Sequence, residues 1–255
     1  MAFTSFALLF GLLIGSFLNV VIHRVPAGES IVSPGSRCPR CGVGLRARDN
    51  VPVISWLLLR RRCHSCAEPI SGRYPAVELL TGVVFGITAA RFGVDPVVPA
   101  FLLFGAALVA VAAIDLELRI IPKRIVWPVF AAGALMIAAA AWWDRDPGRI
   151  LLALGGAVAA FAVFFVIHFI SPRGMGFGDV RLAALVGLFL GWLGWGHVAL
   201  GLFGGFLLGS IAGVAALMAG RSRKSALPFG PFMAAGALLA VWVGEPILRW
   251  YLGAF

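Results

Sequence analysis

Residues 97–115 read VVPAFLLFGAALVAVAAID, a run of uncharged, largely apolar residues that ends on a carboxylate. About 20 helical residues cross the roughly 30 Å hydrocarbon core of a bilayer, so this run predicts a membrane-spanning helix. A charge at the mouth of such a helix is costly, and it is more often functional than decorative. Asp115 therefore marks the end of a predicted span and is a candidate functional residue.

The whole chain has the composition of a polytopic membrane protein. Of its 255 residues, 61% are hydrophobic and only 13% are charged, whereas about a quarter of the residues in soluble domains are charged. The net charge of +10 would suit nucleic acid only if the basic residues shared one solvated face. They lie instead in loops between apolar runs. We therefore expect the lipid bilayer, and no nucleic acid, as a partner.

Eight apolar runs predict an all-α bundle of about eight transmembrane helices. No Lys or Arg precedes the first run, so we expect it to be retained as an anchor rather than cleaved as a signal peptide. The sixth run is short unless it extends toward Asp179 or Trp195. Within the seventh run, Gly201 begins a stripe of glycines at every fourth residue, which lets another helix approach closely. The predicted spans are 2–22, 75–90, 97–114, 125–143, 150–170, 182–193, 196–219 and 227–243.

One long polar segment, residues 23–74, separates the first two spans. The predicted organisation is therefore a first helix (1–22), a small domain that carries all four cysteines (23–74), and a membrane domain of about seven helices (75–255). The apolar stretch 51–59 is too short to span a bilayer. It is expected to be a buried or membrane-grazing piece of the small domain.

The distribution of Lys and Arg predicts the orientation of the chain. Cytoplasmic loops carry an excess of these residues, and 17 of the 21 fall in segments that eight spans place inside. Both termini are then outside, and Asp115 and Asp179 face the cytoplasm. The inside set is nine arginines in 23–74 together with Arg119, Lys123, Arg124, Arg173, Arg181, Arg221, Arg223 and Lys224; the outside set is Arg91, Arg145, Arg149 and Arg249.

The four cysteines form two C-x-x-C pairs, Cys38 with Cys41 and Cys63 with Cys66, separated by 21 residues. Two such pairs supply the four thiolates of a closed, tetrahedral structural zinc site. Disulfides are the alternative, but they are rare in the reducing cytoplasm; a redox dithiol is a third option. His64 lies inside the second pair and is expected to be a bystander. The metal would fold a loop too small to bury its own core.

A glycine-rich loop at 174–179, GMGFGD, ends on the second notable carboxylate, Asp179. Gly176 and Gly178 are expected to relax the backbone and to keep side chains away from the acid. Two close carboxylates cannot both ionise, so one keeps a proton while the other acts as a base, as in an aspartyl hydrolase. Two structural alternatives stay open: Asp179 as a helix N-cap, and Asp115 as a solvated interfacial charge or a partner of Arg119.

Other ionisable residues near the spans are weaker candidates. Glu117 is close to Asp115 in sequence but lies on a different helical face. Glu78 is expected to pair with Arg73 or to line a substrate path, and His168 and His197 are expected to be hydrogen-bonded structural residues.

Eight stretches of the chain together resemble the prepilin peptidases, also called type IV leader peptidases. They are 15–24 (GSFLNVVIHR), the two cysteine pairs, 50–57 (NVPVISWL), 73–80 (RYPAVELL), 115–122, 174–182 and 228–231 (PFGP). The resemblance implies a membrane aspartyl protease of the GxGD type. Asp115 and Asp179 would be its catalytic acids, supported by Gly176 and Gly178.

The same resemblance implies a location, substrates and a second activity. The family's enzymes lie in the bacterial cytoplasmic (inner) membrane. They cut the precursors of type IV pilins and of pilin-like secretion subunits at the cytoplasmic face, after a glycine. Many also methylate the new N-terminal amine with S-adenosylmethionine. This chain departs from the family pattern at Arg61, where glycine is usual, and at Lys123, where aspartate is common.

The residues alone leave two other functions open. A proton-coupled transporter would use the same acids as a relay, although the inverted repeats typical of transporters are not evident. A zinc-stabilised scaffold for a pilus or secretion machine would not need the acids at all.

Overall fold

The computed structural model describes residues 1–38, 40–172, 174–220 and 227–253, apart from the side chain of residue 47. Over these ranges the chain forms nine α-helices, one short 3-10 helix and two isolated β-bridges. The predicted all-α class is confirmed. Four basic residues used to predict the orientation lie outside the described residues, as does Pro39 of the first cysteine pair; the four are Arg173, Arg221, Arg223 and Lys224.

Seven of the helices are long and apolar enough to cross a membrane, so the chain is a multi-pass membrane protein. Each of the eight predicted spans corresponds to a helix. The sixth corresponds to α7, whose 17 residues extend about 26 Å, somewhat less than the hydrocarbon thickness. The helices are α1 (Ala2–Ala27), α2 (Ile54–Leu58), α3 (Arg73–Phe92), α4 (Val98–Leu118), α5 (Lys123–Trp143), α6 (Gly148–Ile170), α7 (Phe177–Leu193), α8 (Trp195–Met218) and α9 (Gly230–Gly253).

Several helices extend beyond the apolar runs that predicted them. Helix α1 continues for five residues past residue 22 and ends at Ala27. It is capped by Gly28, which adopts φ 74° and donates its N–H to the carbonyls of Arg24 and Val25. Helix α9 begins at Gly230 rather than residue 227 and continues to Gly253. Hydropathy locates the edge of the lipid, whereas a helix ends where its backbone hydrogen bonds are capped.

The chain divides into two compact units, Met1–Val94 and Asp95–Phe255. In the first, α1 and α3 pack antiparallel through small residues. A Cβ placed on Gly11 would lie 2.8 Å from the Cα of Gly82, and one on Gly15 would lie 2.6 Å from the Cα of Glu78. The missing side chains therefore let the two backbones touch.

The second unit is built around α4 and α7, whose inward residues are almost fully buried. The rings of Phe104 and Phe189 stack between these helices with their centroids 4.3 Å apart. Helices α8 and α9 meet at the predicted glycine stripe. A Cβ on Gly205 would lie 3.0 Å from the Cα of Met233, which confirms the predicted close approach.

Within the apolar stretch 51–59, residues Ile54–Leu58 form the short helix α2, and none of these five residues is buried. Ile54, Leu57 and Leu58 are 55%, 61% and 78% exposed. Of the two expectations for this stretch, burial is therefore wrong for α2, because a helix of one and a half turns has no second layer to cover its outer face; contact with the membrane stays a prediction.

Candidate active site and metal centre

Asp115 lies in the last turn of α4, where it is only 5% exposed. Its Oδ2 accepts a hydrogen bond of 2.9 Å from the backbone N–H of Gly230, the first residue of α9. The two residues are 115 positions apart in sequence. The start of α9 therefore fixes the orientation of this carboxylate, because an N–H at a helix N-terminus is unpaired within its own helix.

A side chain at position 230 would force the Asp115 carboxylate to move. A Cβ on Gly230 would lie 2.8 Å from Asp115 Oδ2, closer than carbon and carboxylate oxygen can approach without a shift. Gly230 lies in the stretch 228–231 that resembles the family, but the sequence alone indicated no role for it. Its contact with Asp115 was missed because spacing along the chain does not reveal which helix end meets which acid.

Asp179 lies in the first turn of α7, outside the seven apolar spans. Its Oδ2 accepts the N–H of Gly176 at 3.1 Å. The N-cap of α7 is therefore Gly176, and Asp179 bonds back to it from the N3 position instead of being the N-cap itself. Burial and, next, the negative charge of Asp115 raise the pKa of Asp179 to about 6, against the lowering effect of the Gly176 N–H. The two acids are thus brought into electrostatic contact from different helices.

The two loop glycines provide space rather than unusual backbone geometry. Gly176 has φ −72°, which any residue adopts, and Gly178 is not among the residues with positive φ. A Cβ on Gly178 would lie 3.0 Å from the Cβ of Ile121. Glycine therefore lets the segment between α4 and α5 pack directly against the turn that carries Asp179.

His168 supports the same loop from the end of α6. Its Nδ1 lies 2.7 Å from the carbonyl oxygen of Met175, and its ring packs edge-on against Phe177 at a centroid distance of 5.6 Å. His168 is therefore hydrogen-bonded, as the sequence analysis expected, and it orients the loop that leads to Asp179.

The remaining acids and histidines named from sequence have other contacts. Glu117 is exposed at the end of α4. His197 Nε2 lies 4.0 Å from a carboxylate oxygen of Glu245. Glu78 belongs to the first unit, where it accepts the N–H of Val53 at 2.7 Å.

The four cysteines converge in the first unit. Their Sγ atoms all lie within 4.8 Å of one another, and those of Cys38 and Cys66 are 3.8 Å apart. Four sulfurs placed tetrahedrally at about 2.3 Å from a zinc ion are themselves about 3.8 Å apart. The cluster therefore has the donor atoms and the size for a zinc ion.

The two cysteine pairs are built on one repeated turn. In the first, the N–H of Cys38 donates to Val43 at 2.9 Å, and that of Gly42 donates back to Cys38 at 2.9 Å. In the second, Cys63 donates to Glu68 at 2.8 Å, and Ala67 donates to Cys63 at 3.0 Å. The residue after each pair has a left-handed backbone, with φ 70° at Gly42 and 57° at Ala67.

These turns direct N–H groups at the sulfurs. Backbone donors from Cys41 and Arg40 lower the pKa of Cys38 to about 7. The N–H of Glu68 acts in the same direction at Cys66, but burial and the neighbouring thiols outweigh it and raise the pKa of that thiol to about 12. Four thiolates cannot accumulate here without a cation, so the cluster favours a bound metal. His64 Nδ1 lies 3.2 Å from an oxygen of Asp49, which leaves the four sulfurs as the donor set.

Comparison with known proteins agrees with both halves of this structure. The model of the bacterial peptidase A24 N-terminal domain matches residues 9–92, and that of the type IV leader peptidase family matches residues 102–217. A prepilin leader peptidase/N-methyltransferase of Stutzerimonas stutzeri is 33% identical over 99% of this chain and 94% of its own length. One of Bacillus subtilis is 34% identical over 97% of each chain. This chain belongs to the type IV leader peptidase family.

As a type IV leader peptidase, the chain is an aspartic peptidase. Each of the two family models falls within one compact unit, the first carrying the cysteines and the second carrying Asp115 and Asp179. A further relative, the prepilin leader peptidase/N-methyltransferase of Pseudomonas aeruginosa, is 33% identical over 99% of this chain and 94% of its own length. No solved structure matches the chain.

Arg61 is one of the two positions at which the resemblance implied a departure from the family pattern. It has φ 63°, a left-handed conformation that glycine adopts without a steric penalty. Its guanidinium lies 5.7 Å from the centroid of the Trp56 ring. This cation–π contact offsets part of the backbone strain. Lys123, at the other departure, is the exposed first residue of α5.

Proposed function

We propose that this chain removes the leader peptide from type IV prepilins and pilin-like secretion subunits, using Asp115 and Asp179 as a catalytic pair. The observation that carries the proposal is the electrostatic interaction of two carboxylates whose helices are far apart in the sequence. The charge of Asp115 acts on Asp179, and each acid is held by a glycine N–H. Relatives aligned over almost the whole chain bear the name prepilin leader peptidase, which supports the substrate class.

The pair performs general acid–base chemistry on a water molecule. In both acids the glycine N–H engages Oδ2, so we assign Oδ1 of each to the shared water and substrate. The ionised acid takes a proton from the water as it attacks the scissile carbonyl, and the protonated acid donates to the carbonyl oxygen. No covalent intermediate is formed.

The proposed site lies at the cytoplasmic face of the bacterial inner membrane. The basic residues that flank the two acids in sequence support this orientation; they are Arg119, Lys123, Arg124, Arg173 and Arg181. Both termini then lie outside.

The decisive experiment replaces each acid separately with its amide. Asp115→Asn and Asp179→Asn are each expected to reduce cleavage of a prepilin in native membranes at least about a thousandfold, since members of a catalytic unit fail together. Glu117→Gln is the matched control, an exposed carboxylate on the same helix turn. It should cleave normally.

Near wild-type cleavage by either amide variant would remove that acid from the pair. If cleavage were absent from the wild type while proteoliposomes carried a proton flux, the transporter function would replace this one.

A second activity, N-methylation of the newly exposed amine with S-adenosylmethionine as methyl donor, is favoured by the N-methyltransferase part of the relatives' names. We assign no residue to the donor. Mass spectrometry of a pilin co-expressed with this chain would report leader loss and methyl addition together. Leader loss without the methyl increment would refute the second activity and leave the first intact.

We also propose that the cysteine cluster holds a structural zinc ion, bound by Cys38, Cys41, Cys63 and Cys66. The ion would bind the two repeated turns together and would take no part in peptide cleavage. The sulfur spacing described above supports this assignment.

A further inference from the structure

Helix α2 presents three apolar side chains on one face and leaves them uncovered. Ile54, Leu57 and Leu58 follow the i, i+3, i+4 spacing that places residues on one side of a helix. All three are more than half exposed. On the opposite side, the indole N–H of Trp56 donates to the carbonyl of Ile70 at 3.1 Å, so α2 is held by its inner face.

Two hydrogen bonds fix the position of α2 along the axis of the membrane-spanning helix α3. Trp56 bonds Ile70, three residues before α3 begins, and the N–H of Val53 donates to Glu78 Oε2 at 2.7 Å. Glu78 lies five residues into α3, or about 8 Å along its axis. Helix α3 is long enough, at 20 residues, to span the hydrocarbon core, so its first turns lie at the membrane boundary. Helix α2 is therefore held at the depth where amphipathic helices lie in the interface.

The residues that follow α2 in sequence carry a cluster of positive charges beside it. Arg60, Arg61 and Arg62 follow one residue after Leu59, the cap of α2, and all three are exposed. Basic side chains beside an inserted apolar face bind the anionic headgroups of the cytoplasmic leaflet. Lipid satisfies both halves of this surface, whereas an apolar protein partner would leave the charges of Arg60 and Arg62 without a counterpart. The guanidinium of Arg61 also lies 5.7 Å from the centroid of the Trp56 ring.

We propose that α2 and residues 60–62 form a monotopic membrane anchor, in which Ile54, Leu57 and Leu58 enter the lipid interface and the three arginines bind anionic phospholipid headgroups. This anchor presses the cysteine-bearing segment against the bilayer. It does not depend on the catalytic proposal, since all of its residues belong to the first unit.

The test places a diazirine-bearing amino acid at Leu58 in the full-length protein, reconstituted in nanodiscs of phosphatidylcholine with or without phosphatidylglycerol. The control probe is at Val43, which is also exposed but lies in the first cysteine turn. Mass spectrometry identifies the crosslinked product after illumination. We expect lipid adducts at Leu58 to exceed those at Val43 at least about fivefold, and to increase with the phosphatidylglycerol fraction.

The arginines are tested with two variants of equal charge change. Replacing Arg60, Arg61 and Arg62 with Gln should abolish the preference for phosphatidylglycerol, whereas replacing the exposed Arg40, Arg46 and Arg48 with Gln should preserve it. Bound zinc is measured in both to show that the cysteine segment is intact. Equal adducts at Leu58 and Val43, water-quenched or protein adducts at Leu58, or the same lipid preference in both variants would each overturn the proposal.

Discussion

At the scale of single residues, the proposed site depends on glycines that make room for carboxylates. Gly230 donates to Asp115 and has no space for a side chain, and Gly176 donates to Asp179. Each acid is thereby held in one orientation by a backbone group that cannot rotate away. This is the kind of preorganisation that general acid–base catalysis requires.

Gly230→Ala is expected to reduce kcat/KM for prepilin cleavage about a hundredfold, because its Cβ would displace the Asp115 carboxylate from its position. Cleavage of a purified prepilin in nanodiscs is the measurement. Gly253→Ala, at the open C-terminal end of the same helix, should leave the rate unchanged. An active Gly230→Ala variant would show that Asp115 does not need this orientation.

The pH dependence of cleavage should reflect the raised pKa of Asp179. With that pKa near 6, the pair keeps a shared proton below this pH and loses it above, so the general acid disappears as pH rises. We expect kcat/KM to fall by about tenfold per pH unit on the alkaline side of roughly pH 6. Stopped assays across pH 4 to 9 test this.

A variant of His168 separates this titration from general loss of stability at high pH. The electrostatic influence of His168 lowers the pKa of Asp179, so His168→Gln should move the alkaline limb to higher pH. A limb that stays in place, or moves to lower pH, would contradict the assignment of the limb to Asp179.

At the scale of elements, the cysteine segment contains the same turn twice. The two copies carry different residues at one equivalent position. Gly42 and Ala67 occupy equivalent left-handed positions, at φ 70° and 57°, but only glycine adopts this conformation without a steric penalty. The second turn therefore carries backbone strain that the first does not.

Ala67→Gly is expected to tighten zinc binding several-fold, since it removes about 1 kcal/mol of left-handed strain once the added freedom of the unfolded glycine is allowed for. Gly42→Ala is the mirror experiment and should weaken binding by a similar factor. Competition with a chromophoric chelator measures both. A change of the same sign in the two variants would show that the turns are not equivalent.

At the scale of the whole molecule, the two compact units differ in what stabilises them. The spanning helices satisfy their backbone hydrogen bonds internally, as lipid requires. In the described part of the segment between α1 and α3, which leaves out residue 39, there are only a 3-10 turn, the short helix α2 and two isolated bridges. Its fold therefore depends on the cysteine cluster.

Replacing Cys38 and Cys63 with Ser should release about one equivalent of zinc and make residues 29–72 sensitive to trypsin, while the spanning helices stay inserted. Metal analysis and limited proteolysis in nanodiscs are the measurements. His64→Ala is the control and should keep its metal. Unchanged zinc content in the serine variant would refute the four-cysteine site.

The sequence by itself determined the all-α class, the positions of the apolar helices and the cysteine grouping, because these follow from local hydropathy and short spacing. It also indicated Asp115 and Asp179 as unusual acids, since charges are rare beside apolar runs. It did not locate helix ends such as Ala27, which depend on capping rather than on hydropathy.

Only the tertiary structure decided which groups meet. It brought the N–H of Gly230 to Asp115 across 115 residues, placed Asp179 within the electrostatic reach of Asp115, and left one face of α2 uncovered. The physical reason is that burial, pKa and hydrogen-bond partnership depend on the surrounding atoms, and helix packing draws those atoms from parts of the chain that no spacing rule connects.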